Sequence, residues 1–209
     1  LSLSFCWLIS VSVEFSESRL SSSDGLLGSH FVLHKSRNPR RCLHSSGVLH
    51  AFGHVHLVQG DSIEGFGDIL YYNGNTKLAR FRNHVKLIHN EETTLTTDSL
   101  DYDRMRNIAY YFSGGMIEDS LNTLTSLWGQ YTPDDNQALF KGEVQLEHPK
   151  FVLNADTLCY NTESYQADLV SKTRIVYEHE TTILSSNGWY NTQTEHSMLL
   201  DRSLILHAD

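Results

Sequence analysis

Three cysteines, three prolines and three methionines in 209 residues leave little material for several common architectures. Cys6, Cys42 and Cys159 are too few and too scattered for a disulfide framework or a zinc site. Basic residues are also scarce. Sixteen Lys and Arg against 25 Asp and Glu give a net charge of −9 with histidine neutral. Phosphate binding needs a basic face, so this balance excludes nucleic acid as a partner. No apolar run approaches the length of a transmembrane helix. The stretch from Leu1 to Val13 is apolar, but no basic residue precedes it and no small-x-small site follows, so it reads poorly as a signal peptide. Phe5 before Cys6 is a poor context for a lipid-modified cysteine.

What the chain does contain is β-forming material. Ten Tyr, nine Phe and many polar β-formers point to sheet rather than helix bundle. The length suffices for one domain with a core, or for one short repeat array. Residues 1–48 differ from the rest. They are rich in serine, as in Ser21 to Ser23, carry the basic cluster Lys35, Arg37, Arg40 and Arg41, and sustain no hydrophobic period. They are expected to be a disordered leader, the cluster a solvated tail, and residues 49–209 the folded domain.

From His50 onward the chain repeats itself. Tyr72, Tyr102, Tyr131, Tyr160 and Tyr190 each precede a turn and are spaced 30, 29, 29 and 30 residues. Seven residues after each comes a small side chain, Ala79, Ala109, Ala138, Ala167 or Ser197. Seven before each stands Gly65, Leu95, Leu124, Leu153 or Ile183. Four before, the residue is Asp68, Asp98, Asp156 or Ser186, with Leu127 as the exception. Each unit holds two strand-like runs, such as Thr93 to Tyr102 and Asn136 to Glu147, with polar and apolar residues interleaved. Turn sequences such as Asn73-Gly74-Asn75 and Asn161-Thr162-Glu163 separate them. The pattern predicts an all-β fold of antiparallel hairpins stacked along one axis, 29–30 residues per repeat. Leu95 and Leu100 lie at odd and even distances from Tyr102, so a flat strand would face them oppositely. Either a bulge separates them or the sheet has two layers; two layers are favoured, because twelve or so strands in one open sheet would curl or split.

Chemical motifs are thin. His54 and His56 form an H-x-H pair on one expected strand face, without a third ligand at any metal spacing. Asp68, Asp98 and Asp156 could suggest paired carboxylates, but an aspartate in every unit fits a turn or backbone cap better than a catalytic pair made once. No serine or cysteine sits in a nucleophile elbow, and Gly65-Phe66-Gly67 lacks a phosphate-cradle context. Trp128, Trp189, Tyr110 and Tyr111 read as cross-strand packing residues, with carbohydrate stacking as the alternative.

The run Thr94-Leu95-Thr96-Thr97-Asp98-Ser99-Leu100-Asp101-Tyr102-Asp103 recurs as Val152-Leu153-Asn154-Ala155-Asp156-Thr157-Leu158-Cys159-Tyr160-Asn161. A G-x-V-x-L element precedes as Gly53-His54-Val55-His56-Leu57 and Gly142-Glu143-Val144-Gln145-Leu146, with Asn83-His84-Val85-Lys86-Leu87 as a variant. These repeats resemble the LptA/OstA family of periplasmic lipopolysaccharide-transport proteins, in particular the OstA-like proteins of the Bacteroidetes type, over roughly His50 to Asp209. Gly129 and Gly188, where the pattern has leucine, and Leu127, where it has aspartate, depart from it. The resemblance implies a folded-over β-jellyroll, or β-taco, whose apolar interior shields the lipid A acyl chains of lipopolysaccharide. It further implies a periplasmic location with outer-membrane association, and stacking by edge strands onto other transport proteins of the envelope or onto further copies of this chain. No catalysis, cofactor or metal is implied.

Alternation makes Val85, Leu87, Leu95, Leu100, Val144, Leu146, Leu153, Leu158, Ile175 and Ile183 the candidate trough lining. The simpler possibility for each is that it fills a closed core. Two rival functions therefore stand beside lipid transport: an extracellular β-repeat spacer or adhesin with a closed core, and a β-helix carbohydrate-active enzyme. A continuous apolar cleft favours transport, its absence the spacer, and adjacent carboxylates in a cleft the enzyme.

Overall fold

The computed structural model describes residues 31–33, 42–45, 47–59, 63–178, 180–194 and 196–207. Its regular elements are eighteen antiparallel strands and one 3-10 turn, Pro133–Asp135. Near the N-terminus stand β1 (Phe31–Leu33) and β2 (Cys42–Ser45), both paired with β3 (Val48–Gln59). β1 and β2 fall inside the serine-rich stretch; residues 1–30 and 34–41 lie outside the described residues. Then follow the long strands β4 (Ile63–Asn73), β5 (Leu78–His89) and β6 (Thr93–Asp103). The next two are each broken in the middle, giving β7 (Ile108–Tyr111), β8 (Gly115–Glu118), β9 (Thr123–Ser126) and β10 (Trp128–Thr132). β11 (Gln137–His148) and β12 (Phe151–Asn161) are long again. The C-terminal part is broken throughout: β13 (Gln166–Leu169), β14 (Thr173–Tyr177), β15 (Thr181–Ser185), β16 (Gly188–Asn191), β17 (Ser197–Leu199) and β18 (Leu204–His207).

The breaks fall in the same place as the bulges of the unbroken strands. Register shifts lie between Phe52 and Val55, Phe66 and Ile69, Arg82 and Val85, and Lys141 and Val144. One strand of each pair is left-handed there: β3 at Gly53 and His54, φ 79° and 50°; β5 at Asn83 and His84, 62° and 50°; and β11 at Gly142 and Glu143, 74° and 51°. Glycine and asparagine adopt such angles most readily, and an extra residue here bends the strand. The G-x-V-x-L element is thus a corner followed by two inward side chains. The parity change between Leu95 and Leu100 has the same origin. Bulge and second layer are one device, because the strand leaves one layer and enters the other at the bulge.

Pairing is continuous within each layer. In one, Leu57, Gly65, Leu87, Leu95, Ile117, Leu124, Leu146, Leu153, Ile175, Ile183 and Ile205 stand opposite one another in succession. In the other, the succession is Leu49, Tyr72, Ala79, Tyr102, Ala109, Tyr131, Ala138, Tyr160, Ala167, Tyr190 and Ser197. The small residue seven after each tyrosine is therefore its cross-strand partner, and large and small side chains alternate along the stack. The two layers are joined along the row of corners and face each other across one hydrophobic core, a folded-over β-jellyroll. At about 4.8 Å per strand, twelve paired strands make each layer roughly 50 Å long.

The hairpin turns lie along the two free lips. In the tyrosine layer, the residue after the tyrosine starts each turn by side-chain capping. The side-chain oxygens of Asn73, Asp103, Asn161 and Asn191 each accept bonds from the amides two and three residues on, at 2.7–3.2 Å. After Tyr131 the residue is Thr132, and the 3-10 turn replaces the cap. Successive turns also bond to one another, as Thr162 N does to Asn136 O at 2.8 Å and Thr192 N to Tyr165 O at 2.8 Å.

Leu158 is 1% exposed, and cutting it to alanine leaves a cavity between the layers. Leu158→Ala is expected to cost about 2–5 kcal/mol in chemical denaturation. The exposed outward residue Lys86, replaced by alanine, is expected to change stability by no more than about 0.5 kcal/mol.

Candidate functional site

The candidate site is the interior between the layers. Val85, Leu87, Leu95, Leu100, Val144, Leu146, Leu153 and Leu158 are all buried there, and Ile175 and Ile183 are half-buried towards the C-terminal end. The structure brings all ten predicted positions to one interior. It also adds residues that alternation of aliphatic side chains did not mark: Phe81, Tyr102, Tyr111, Tyr131, Phe140, Phe151, Tyr160 and Leu169. The signal for the tyrosines was present in the Tyr–Ala spacing, which places both partners on the inward side.

Tyr111, read as a cross-strand packing residue, packs on its partner Gly129 from the interior side. It points inward, bonds to Ser126 Oγ at 2.6 Å, and so links the two layers. Tyr110, the next residue back, is half-buried on the outer face and donates to Asp101 Oδ2 at 3.3 Å. Gly129 and Gly115 make room for the Tyr111 ring, since a Cβ at either would penetrate it. The departure from leucine at Gly129 is thus a packing consequence of Tyr111.

The interior carries no formal charge on its tyrosines. Burial pushes Tyr102, Tyr111 and Tyr160 up to about 12, so their hydroxyls stay protonated. Each is also bonded inside the protein: Tyr102 donates to Asn107 Oδ1 at 2.9 Å, and Tyr160 shares a bond with Thr192 Oγ1 at 3.1 Å. His89, buried near the lip of the aliphatic layer, has its pKa lowered by burial, with Glu92 opposing, which favours the neutral ring.

The filling of this interior is uneven. Around Leu95, Tyr111 and Phe140 the void is about 30 Å³, and around Leu146, Leu158 and Tyr160 about 20 Å³. At the C-terminal end a cavity of about 230 Å³ opens among Phe151, Leu153, Leu169, Ile175, Ile183 and Leu199, rimmed by Tyr177, Trp189, His148 and Lys150. Beyond it, β17 and β18 each pair on one side, among the described residues. Ile205, the last inward member of the aliphatic succession, is 61% exposed, and Leu204 and Leu206 beside it are exposed too.

The chemical motifs resolve into structural ones. His54 stands in a left-handed corner, which breaks the alternation a shared H-x-H face requires. His56 Nε2 lies 3.3 Å from Glu64 Oε2, and its ring stacks on Phe66 at 4.4 Å. Among the described residues, no three His, Cys, Asp or Glu side chains are grouped to hold a metal ion. The repeated aspartates serve the corners. Asp98 Oδ1 accepts the left-handed His84 amide at 3.1 Å, and Asp68 Oδ2 meets His84 Nδ1 at 2.7 Å. Asp156 accepts from the Thr157 hydroxyl at 3.1 Å. In the last corner Asp201 takes over, accepting from Ser186 N and Ser185 Oγ at 2.9 Å and Ser203 Oγ at 2.7 Å. These bonds hold its carboxyl far below the usual range. At the Leu127 corner the amide donates instead to Gly142 O at 2.9 Å, and the side chain lies over Gly142.

A family model described as OstA-like protein matches residues 41–156. Among solved structures, the chain is similar to LptH of Pseudomonas aeruginosa, described as the LptA-homologous periplasmic component of the conserved lipopolysaccharide transport device. That similarity has a TM-score of 0.44 and 15% identity, over 48% of this chain and 76% of that one. No curated protein matches.

Two outcomes follow from the corner and the Tyr111 pocket. The Asp68 carboxylate raises the His84 pKa above 6.5, so the stabilisation it gives is complete below pH 6.5 and lost as pH rises through the folded value. An NMR titration is expected to place His84 above 6.5, and Asp68→Asn to move it back towards that value. Gly129→Ala, ordinarily neutral or favourable in a strand, is expected to destabilise by about 1–3 kcal/mol in thermal unfolding. Combining it with Tyr111→Leu is expected to recover part of the loss.

Proposed function

Because this chain belongs to the OstA-like protein family, we propose that it is a non-catalytic carrier which binds lipopolysaccharide by its acyl chains and serves outer-membrane assembly from the periplasm. The observation that carries this reading is the aliphatic succession from Leu57 to Ile205, interrupted only at Gly65, which faces a neutral aromatic layer and borders the cavity at Ile175 and Ile183. An acyl chain in water loses about 0.8 kcal/mol per methylene relative to an apolar site, so a carrier needs a continuous apolar surface.

The construction supports loading by separation of the lips. The layers are joined covalently at the corners, and the turns lie along the free lips, so acyl chains can enter where side chains merely touch. The 230 Å³ cavity gives a starting point at the C-terminal end. There the single-sided pairing of β17 and β18 leaves edge amides and carbonyls open to a further strand. A strand from another envelope transport protein, or from a second copy, would pair with that edge and cover Ile205. The small voids between β5 and β12 favour a second reading, a closed-core spacer, in which the interior never opens.

Photo-crosslinking to lipopolysaccharide separates the two. Probes at Leu95, Leu100, Val144 and Leu153 are expected to capture lipid, while probes at the outward neighbours Thr96, Gln145 and Asn154 do not. A folded protein that captures lipid at none of these positions is a spacer.

A further inference from the structure

The outer face of the tyrosine layer differs in chemistry from that of the aliphatic layer. The latter is mostly polar, with Glu64, Lys86, Thr96, Glu118 and Glu147 among its outward residues and one stacked ring pair, His56 on Phe66. The tyrosine layer instead carries, near its N-terminal end, a ring cluster. Tyr71 meets His50 edge-on at 5.0 Å and Phe52 at 6.0 Å, and all three rings are half-buried, fixed by one another. Beside them a surface pocket of about 360 Å³ is lined by His50, Tyr71, Tyr72, Asn73, Thr76 and Arg80, with two aliphatic side chains completing its floor.

The charge of this patch runs against that of the chain. Arg80 Nε lies 3.5 Å from Asp101 Oδ2, and Arg82 bonds to the other oxygen of the same buried carboxylate. Two guanidinium groups thus share one carboxylate, in a chain of net charge −9. Asp103, opposite Leu78 in the sheet, caps its own turn and lies 3.8 Å from Arg106. Aromatic rings, a forked cation, an amide and a hydroxyl around one pocket suit a sugar ring: its C–H face stacks on a ring face, and an anionic substituent meets the guanidinium.

The pocket also lies beside the lip. Tyr72, one of its walls, packs against the core, and Asn73 to Thr76 form the lip of the layer. A lipid whose chains lie between the layers emerges at this lip, and its head group then reaches Arg80. Resting on the carrier reading, we propose that the pocket at Tyr71 and Arg80 is a head-group site for an anionic saccharide, distinct from the acyl interior.

The test measures binding of deacylated lipopolysaccharide, which has the sugar but no acyl chains, to the full chain by calorimetry. Arg80→Gln leaves Arg82 on Asp101 and is expected to weaken binding about tenfold or more. Tyr71→Ala is expected to weaken it about threefold. Lys86→Gln, on the outer face of the other layer, is expected to leave it unchanged. Phosphatase-treated and carboxyl-reduced saccharides identify the anionic group: loss of binding with either form names it. Equal binding of both forms with the untreated sugar overturns anion recognition. Binding indifferent to Arg80→Gln and Tyr71→Ala in folded variants overturns the site. Because the probe has no acyl chains, these results are independent of crosslinking from Leu95 and Leu153, and either reading can fail alone.

Discussion

Everything in this molecule depends on the corner. Every strand from β3 to β12 that runs unbroken must leave one layer and enter the other within two or three residues, and a regular strand cannot do so. The left-handed pairs Gly53-His54, Asn83-His84 and Gly142-Glu143 supply the turn. Their unusual backbone is held by neighbours, as Asp98 holds the His84 amide and Asp201 the Ser186 amide. Because a corner inserts residues without pairing them, it shifts side-chain parity. That shift is why both Leu95 and Leu100 of one strand point into the same interior. Where the strand breaks outright, as between β7 and β8, left-handed Gly114 takes the same role, its amide bonded to Leu127 O at 2.9 Å.

The two layers are not equivalent. One is a succession of Leu and Ile; the other alternates tyrosine with alanine, so that bulky rings reach across and small residues leave them space. The hydroxyls of Tyr102, Tyr111 and Tyr160 find partners within the chain, and burial keeps them neutral. A neutral, internally satisfied wall can exchange one apolar neighbour for another without exposing an unpaired polar group. That property is what separates a wall that can accept acyl chains from a polar core that cannot. The voids near Tyr111 and Tyr160 show the same wall packed on itself, and the C-terminal cavity shows it parted.

A stack of repeats buries each rung against its neighbours, so its ends are its weak points. Here the C-terminal rung is apolar on both faces: Leu204 and Leu206 point outward and Ile205 inward, all exposed. Elsewhere in the aliphatic layer the outward positions are mostly polar. Ile183, the inward partner of Ile205, lines the C-terminal cavity, so the exposed apolar rung and the opening of the interior are neighbours.

The amino-acid sequence alone determined the repeat, its 29–30-residue period, the hairpin turns after each tyrosine, and the inward aliphatic set. These are local properties: alternation, Asx capping and glycine conformations are decided by neighbours a few residues apart. The same locality made the aspartates legible as backbone devices. It did not reach Tyr111, whose inward course depends on Gly129, eighteen residues on and opposite it across the sheet. Nor did it reach the role of His84, which requires Asp68 and Asp98 from the two flanking strands. The tertiary structure alone decided that the interior is filled between β6 and β11 and open from β12 to β17. It also decided that the outer pocket gathers His50, Tyr71 and Arg80 from three strands. Filling and gathering depend on the distance between layers and the stacking of strands far apart in the chain, and no spacing within a single repeat encodes either.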